Sequence, residues 1–82
     1  MSLVVGGHYR HYKNKDYTIL QLARHSETHE DYVVYQAHYG DRQIWVRPMD
    51  MFMETVEWQG STVPRFTRIK APNLDVESAK VL

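Results

Sequence analysis

Residues 32–39, which read YVVYQAHY, constrain the fold more than any other part of the chain. An extended backbone here places Val33, Tyr35 and Ala37 on one face of a strand and the residues between them on the other. Shorter runs of the same character recur, separated by polar or glycine-containing turns, at residues 8–12, 17–24, 44–47, 56–58 and 62–69. Short strands at this spacing predict an all-β fold.

The length and the absence of cysteine narrow this class further. A chain of 82 residues permits one small domain and excludes a large α/β enzyme core. Without cysteine it has no disulfide, no thiolate zinc site and no Cys nucleophile. We therefore predict a small SH3-like barrel of five to six short antiparallel strands, with one short helical turn near Met49–Met53. Closing the sheet would remove its exposed edges.

The turns carry their own signals. Asn14 tolerates the left-handed conformation that a tight hairpin needs, and residues 59–61 (QGS) have the composition of a second hairpin turn. Pro48 ends a strand and favours a helix start, and Pro64 predicts an edge or a bulge in the last strand.

The domain organisation follows from the weakening of the pattern at both ends. Residues 1–6 are expected to be a flexible N-terminus or an expression remnant, residues 7–70 the single domain, and residues 71–82 a mobile tail or a frayed helix. No apolar stretch reaches the ~18–20 residues that cross a bilayer, and the start lacks the basic segment of a secretory signal. The expectation is a cytoplasmic domain without a membrane partner.

The predicted core consists of the apolar residues on one side of these strands and of the helical turn. They are Ile19, Leu20, Leu22, Val33, Tyr35, Ala37, Ile44, Val46, Phe52, Val56 and Phe66. Trp45 and Arg47 alternate with Ile44 and Val46, so they are predicted to lie on the opposite, solvent-facing side.

The net charge is zero but unevenly distributed. Residues 1–26 and 58–70 each carry three more cations than acids, and residues 27–57 carry seven acids against two arginines. This balance excludes the strong basic field of a duplex-DNA binder. It permits a local basic patch if the first hairpin and the last strand are neighbours.

Aromatic and basic residues interleave in several of the strands, as they do in binding grooves. Aromatic faces stack on bases, prolines or cations, and arginine grips carboxylate or phosphate. The candidate binding residues are Tyr9, Arg10, His11, Tyr12, Arg24, His25, Trp45 and Arg47. The alternative is structural: a small core without cysteine is filled by large side chains, which would use about half of the aromatics.

Metal binding and catalysis have weaker support. His8 and His11 would point to opposite faces of a strand, and His25 and His29 lie in a loop, so no metal site and no cofactor are predicted. An enzyme would have to use His11 or His25 as its acid or base, and no nucleophile–base set is evident beside them.

The leading prediction is thus a binding or interaction module for a protein, a peptide or a small ligand. A weak single-stranded nucleic-acid binder, with contacts on the first hairpin and residues 65–70, is one alternative. A small enzyme is the second. A homodimer through exposed aromatics is also open.

Several strings occur together in one order: YRHYK from Tyr9, ARHSET from Ala23, VVYQA from Val33 and WVRP from Trp45. In this combination the chain resembles, from about Gly7 to Phe66, a small bacterial family known as domain of unknown function 1653. The resemblance implies a stand-alone bacterial cytoplasmic domain, with no assigned activity or catalytic residues. Asn14 stands where the family pattern has glycine.

Overall fold

A computed structural model describes residues 3–70. In these residues the elements follow one another as β1 (His8–His11), β2 (Asp16–Arg24), β3 (Asp31–Ala37), β4 (Ile44–Pro48), α1 (Met49–Met53), β5 (Thr55–Trp58), β6 (Ser61–Pro64) and β7 (Phe66–Lys70). The all-β class and the helical turn are confirmed. The run predicted at residues 62–69 is two strands because it is interrupted at Arg65. The predicted tail, residues 71–82, lies outside the described residues.

The strands form two antiparallel sheets. The larger has the order β4–β3–β2–β1–β7, and β5 pairs with β6 in a separate hairpin. Between residues 3 and 70 no ladder joins β4 to β7, so the sheet is open and the predicted closed barrel is wrong. The sheet does not need to curl upon itself, because α1 covers its apolar face. The more specific SH3-like assignment stays a prediction.

The core occupies one face of the larger sheet. Its buried residues are Tyr9, Tyr17, Ile19, Val33, Tyr35, Ala37, Phe52 and Phe66. Six of these were predicted, but the prediction of Ile44 and Val46 is wrong: they are 59% and 62% exposed. The antiparallel register explains the error, because it places Val46 opposite Val34, which alternates with the buried residues of β3.

A β-bulge in β2 changes which side of the sheet the predicted core residues Leu20 and Leu22 face. Ile19 faces Tyr35, and the next paired residue, Gln21, faces Val34, so Leu20 is the extra residue. The insertion returns Leu22 to the side of Ile19, where it packs against the core, and leaves Leu20 only half-buried. Simple alternation would have separated Ile19 from Leu22.

The short helix closes the core. Pro48 precedes it with φ −56° and ψ 139°, an extended conformation that suits the last residue before a helix. Phe52 is 1% exposed and stacks on Phe66, with ring centroids 3.9 Å apart and planes 3° from parallel. The edges of Tyr9 and Tyr35 meet the same Phe52 ring at 5.8 and 5.3 Å.

Two turns adopt the conformations that their residues predict. Asn14 has φ 70°, in the left-handed region. Gln59 and Gly60, with φ of 51° and 83°, lie between the paired residues Trp58 and Ser61. Positive φ at both central positions is the type I′ hairpin geometry, for which glycine is favoured.

We expect Phe52→Ala to lower the free energy of unfolding by about 3–5 kcal/mol, because it removes one half of the stack and leaves a cavity. Phe52→Leu should lower it less. The matched control is Val5→Ala, which shortens a side chain that is 45% exposed and should change stability by about 0.5 kcal/mol or less. Urea denaturation measures all three, and similar losses for Phe52→Ala and Val5→Ala would contradict the described packing.

Candidate functional site

The eight predicted binding residues do not form one cluster. Arg24 is the last residue of β2, and His25 follows it. At ~3.3 Å per residue, this end of the strand lies about 26 Å from Asp16, the first residue of β2. Arg24 pairs there with Asp31 at 3.3 Å. His25 Nδ1 accepts hydrogen bonds from the backbone N–H groups of the loop, at residues 27 and 28. Their observed contacts hold the β2–β3 connection together.

Tyr9 and Arg10 point to opposite faces of the sheet. Tyr9 is a core residue, 4% exposed, whose hydroxyl accepts a hydrogen bond from Val4 N–H. Arg10 is exposed and donates two hydrogen bonds to Asp16, of 2.7 and 3.1 Å.

Trp45 and Arg47 lie on the same side of the sheet as the core, not on the opposite side. The register places Trp45 beside Tyr35 and Arg47 beside Val33. Arg47 Nε donates a hydrogen bond of 3.2 Å to the Tyr35 hydroxyl. Trp45 is still 48% exposed, because β4 is the edge of the sheet.

Three of the predicted residues share one groove. We call it the His11 groove; its volume is about 380 Å³ and it is lined by Arg10, His11, Tyr12, Asn14, Trp58, Val63, Pro64, Thr67 and Ile69. It forms because β7 pairs with β1 and the β5–β6 hairpin lies against the turn after β1. Tyr12 N–H fixes this arrangement by donating to Arg65 C=O at 2.9 Å. The first hairpin and the last strand are therefore neighbours, as a basic patch requires.

Aromatic contacts run from the core into the groove. The His11 ring lies 5.0 Å from that of Phe66, edge to face, and 4.4 Å from that of Tyr12. Tyr12 in turn meets Trp58 at 5.0 Å. Trp58 was outside the predicted site set. Its place beside the residues 59–61 turn indicated a hairpin, but only the packing shows which strand the hairpin contacts.

The electrostatics of the groove centre on His11. Burial is the main cause that lowers the pKa of the half-buried His11, and the charges of Arg65, Arg47 and Lys13 lower it further. The backbone N–H of Lys13 donates to His11 Nδ1 at 3.1 Å, so a neutral ring carries its proton on Nε2. Arg65 itself pairs with Glu54. The groove thus holds a neutral imidazole within a positive field.

A second groove, of about 410 Å³, opens over the core. It is apolar, with Arg68 as its one charged lining residue among Leu3, Tyr9, Phe52, Met53, Pro64, Phe66 and Thr67. Within residues 3–70 no three acidic or histidine side chains are grouped to hold a metal ion. No helix in that part of the chain is long and apolar enough to span a membrane.

Comparison with known proteins identifies the family. The sequence profile described as protein of unknown function DUF1653 matches residues 7–68. The chain belongs to the DUF1653 family. A crystal structure of a DUF1653 protein from Bordetella bronchiseptica is similar, with a TM-score of 0.73 and 37% sequence identity over 80% of this chain and 87% of that chain. No curated protein matches significantly. The DUF1653 match includes every residue of the His11 groove except Ile69.

The positive field predicts a specific change in the titration of His11. Arg47→Gln removes one of the cations that lower its pKa, so the pKa of His11 should rise toward its ordinary value of 6.5. NMR titration of the imidazole signals measures this. Arg24→Gln, the same substitution at the far end of β2, should leave the pKa of His11 unchanged, and an equal rise in both variants would contradict the proposed geometry.

The same pKa predicts how stability depends on pH. The folded chain holds His11 neutral, with a pKa below that of the unfolded chain, so the unfolded state binds the proton first. Stability should therefore fall as the pH drops through 6.5 toward the lowered pKa. His11→Asn, whose side-chain oxygen can accept from the Lys13 N–H but does not titrate, should reduce this fall. Urea denaturation at pH 7.5 and pH 5 tests it, and an unchanged fall would contradict the role of His11.

Proposed function

We propose that this domain is a binding module that holds an anionic ligand in the His11 groove. The observation that carries the proposal is a half-buried imidazole beside two aromatic rings in a groove that Arg10 also lines; the charges of Lys13, Arg47 and Arg65 act on this imidazole from outside the groove lining. The relative from Bordetella bronchiseptica supports a bacterial source, and we place the domain in the cytoplasm as part of the proposal.

The three cations whose charge lowers the pKa of His11 lie outside the groove lining and are incompletely neutralised. Within residues 3–70 no carboxylate lies within 4 Å of Lys13 or Arg47, whereas Arg65 pairs with Glu54. Arg65 Nε is also buried without a hydrogen-bond partner among the described residues. A bound carboxylate or phosphate would be attracted to this uncompensated charge, and partial burial reduces the screening by water.

The rings of Tyr12 and Trp58 favour a ligand that also has a planar or apolar group. Trp58 is 37% exposed, and its contact with Tyr12 holds both rings at the edge of the groove. Such rings offer flat faces to a planar or apolar group. A ligand that joins an anionic group to a planar one fits both features, and it can belong to a small molecule, a peptide or a protein surface.

Single-stranded nucleic acid is the second candidate. Its specific support is the exposed Arg68 and Lys70 of β7, the edge strand that borders the groove; Arg68 lies on the core side of that strand, beside Tyr9 and outside the groove lining. A nucleic acid that passes over this edge of the sheet would pair its phosphates with these two cations and stack its bases on Tyr12 and Trp58.

Proton transfer by histidine has less support. Nδ1 of His11 and Nδ1 of His25 each accept backbone N–H groups of their own turns. A neutral ring in that arrangement presents only its protonated Nε2 to a substrate, so it donates a hydrogen bond and does not abstract a proton. This favours a binding role for His11.

Titration of labelled protein with inorganic phosphate, followed by NMR, tests the proposal. We expect shifts of the His11 imidazole and Trp58 indole signals, a rise in the pKa of His11, and weaker binding at higher salt. Lys13→Gln should weaken binding about three- to fivefold, which corresponds to an exposed ion pair of up to about 1 kcal/mol. No shift of either signal at millimolar phosphate would refute anion binding in the groove.

Lys70→Gln is the matched control, since it removes an equal charge from the far end of β7. It should leave phosphate binding unchanged. The same pair of variants with a short single-stranded oligonucleotide separates the two candidates: a ligand confined to the groove is weakened by Lys13→Gln alone, and a nucleic acid along β7 is weakened by both.

A further inference from the structure

β4 forms one edge of the larger sheet and exposes apolar side chains on both of its faces. Ile44 and Val46 are 59% and 62% exposed on one face, and Trp45 is 48% exposed on the other. An extended apolar edge of this kind is a template for pairing with another strand. From it we propose that the chain forms a two-fold symmetric dimer by antiparallel pairing of β4 with β4 of a second copy. This inference does not depend on the His11 groove.

Among residues 3–70 no strand pairs with the outer side of β4, and the backbone groups on that side point in the direction that such pairing requires. Ala37 N–H donates to Gln43 C=O at 3.0 Å, so these opposed residues form a hydrogen-bonded pair. Because such pairs alternate along an antiparallel ladder, Trp45 and Arg47 also turn their N–H and C=O groups toward β3. Ile44 and Val46 turn theirs away from the sheet. Pro48, which has no N–H, occupies the next outward position.

The residues at both ends of β4 limit how far this edge can pair with another strand. Pro48 cannot donate, and Arg42, at φ 57°, is outside the extended conformation. The Arg42 carbonyl already accepts a hydrogen bond of 3.0 Å from Gln36 Nε2. The outward donors of the strand are thus confined to Ile44 and Val46.

One register of the two β4 strands pairs every outward N–H and C=O group of Ile44 and Val46. With Ile44 opposite the partner's Val46, and Val46 opposite the partner's Ile44, the N–H and C=O of both residues pair, giving four hydrogen bonds about an axis at Trp45. A shift that brings Pro48 opposite the partner's Ile44 would leave that residue's carbonyl facing a proline ring. A shift the other way would require Arg42 to be extended.

The side chains match in the same register. The two Trp45 side chains meet at the axis, where aromatic cross-strand pairs are stabilising. Arg47 comes opposite the partner's Gln43, so no like charges face each other. β7 differs: self-pairing at that edge would bring exposed Arg68 and Lys70 of two copies together. Charge therefore favours β4 as the edge that takes a second copy.

Sedimentation equilibrium over a range of concentrations tests the dimer. We expect wild-type protein to reach twice the 9.7 kDa chain mass. Val46→Lys, at an exposed position that the monomer tolerates, should weaken self-association about tenfold or more by placing a charge in the pairing. The matched control is Ile69→Lys, a 43% exposed residue on the opposite edge, which should not change it. A wild-type monomer at millimolar concentration, or equal effects of the two variants, would overturn the proposal.

Amide hydrogen exchange distinguishes strand pairing from any other dimer. The Ile44 and Val46 N–H groups should be protected in the dimer and should lose protection on dilution, because in the described residues 3–70 they turn away from β3, the only strand paired with β4 there. Val46→Lys should expose the Ile44 N–H at all concentrations. A dimer in which these two amides exchange rapidly would overturn the proposed pairing.

Discussion

The stack of Phe52 on Phe66 is the contact on which the rest of the structure depends. It joins α1 to the outermost strand β7 and covers the apolar face of an open sheet, with ring centroids 3.9 Å apart. A sheet with one face covered in this way does not have to close into a barrel to keep its core dry. The two edges, β4 and β7, are left unpaired with each other as a consequence.

The His11 groove adjoins that core, because the His11 ring contacts the buried Phe66. Phe66, His11, Tyr12 and Trp58 form a chain of ring contacts that begins in buried aromatics and ends at the solvent. Each ring is therefore positioned by the next, and only the outer ones are free to meet a ligand. The binding role proposed for the groove depends on this aromatic frame together with the cations whose charge lowers the pKa of His11.

The two edges of the sheet differ in chemistry. β7 carries exposed cations and borders the groove, whereas β4 carries exposed Ile44, Trp45 and Val46 and a backbone that turns two residues outward. A β4-paired dimer would keep both His11 grooves at the far ends of a continuous sheet. Ligand binding and self-association, as proposed here, would then occupy separate surfaces.

Local chemistry determined the strands, the Asn14 turn, the helix after Pro48 and most of the core, because alternation, φ preferences and proline act within a few residues. Tertiary structure alone decided the rest. The exposure of Ile44 and Val46 follows from the register with β3, and the position of Leu22 follows from a bulge. The separation of Arg24 and His25 from His11 follows from strand direction. Trp58 joins the groove of His11 because the β5–β6 hairpin packs there, and Trp58 lies 47 residues after His11 in the sequence. No pattern within a strand predicts a contact between segments so far apart.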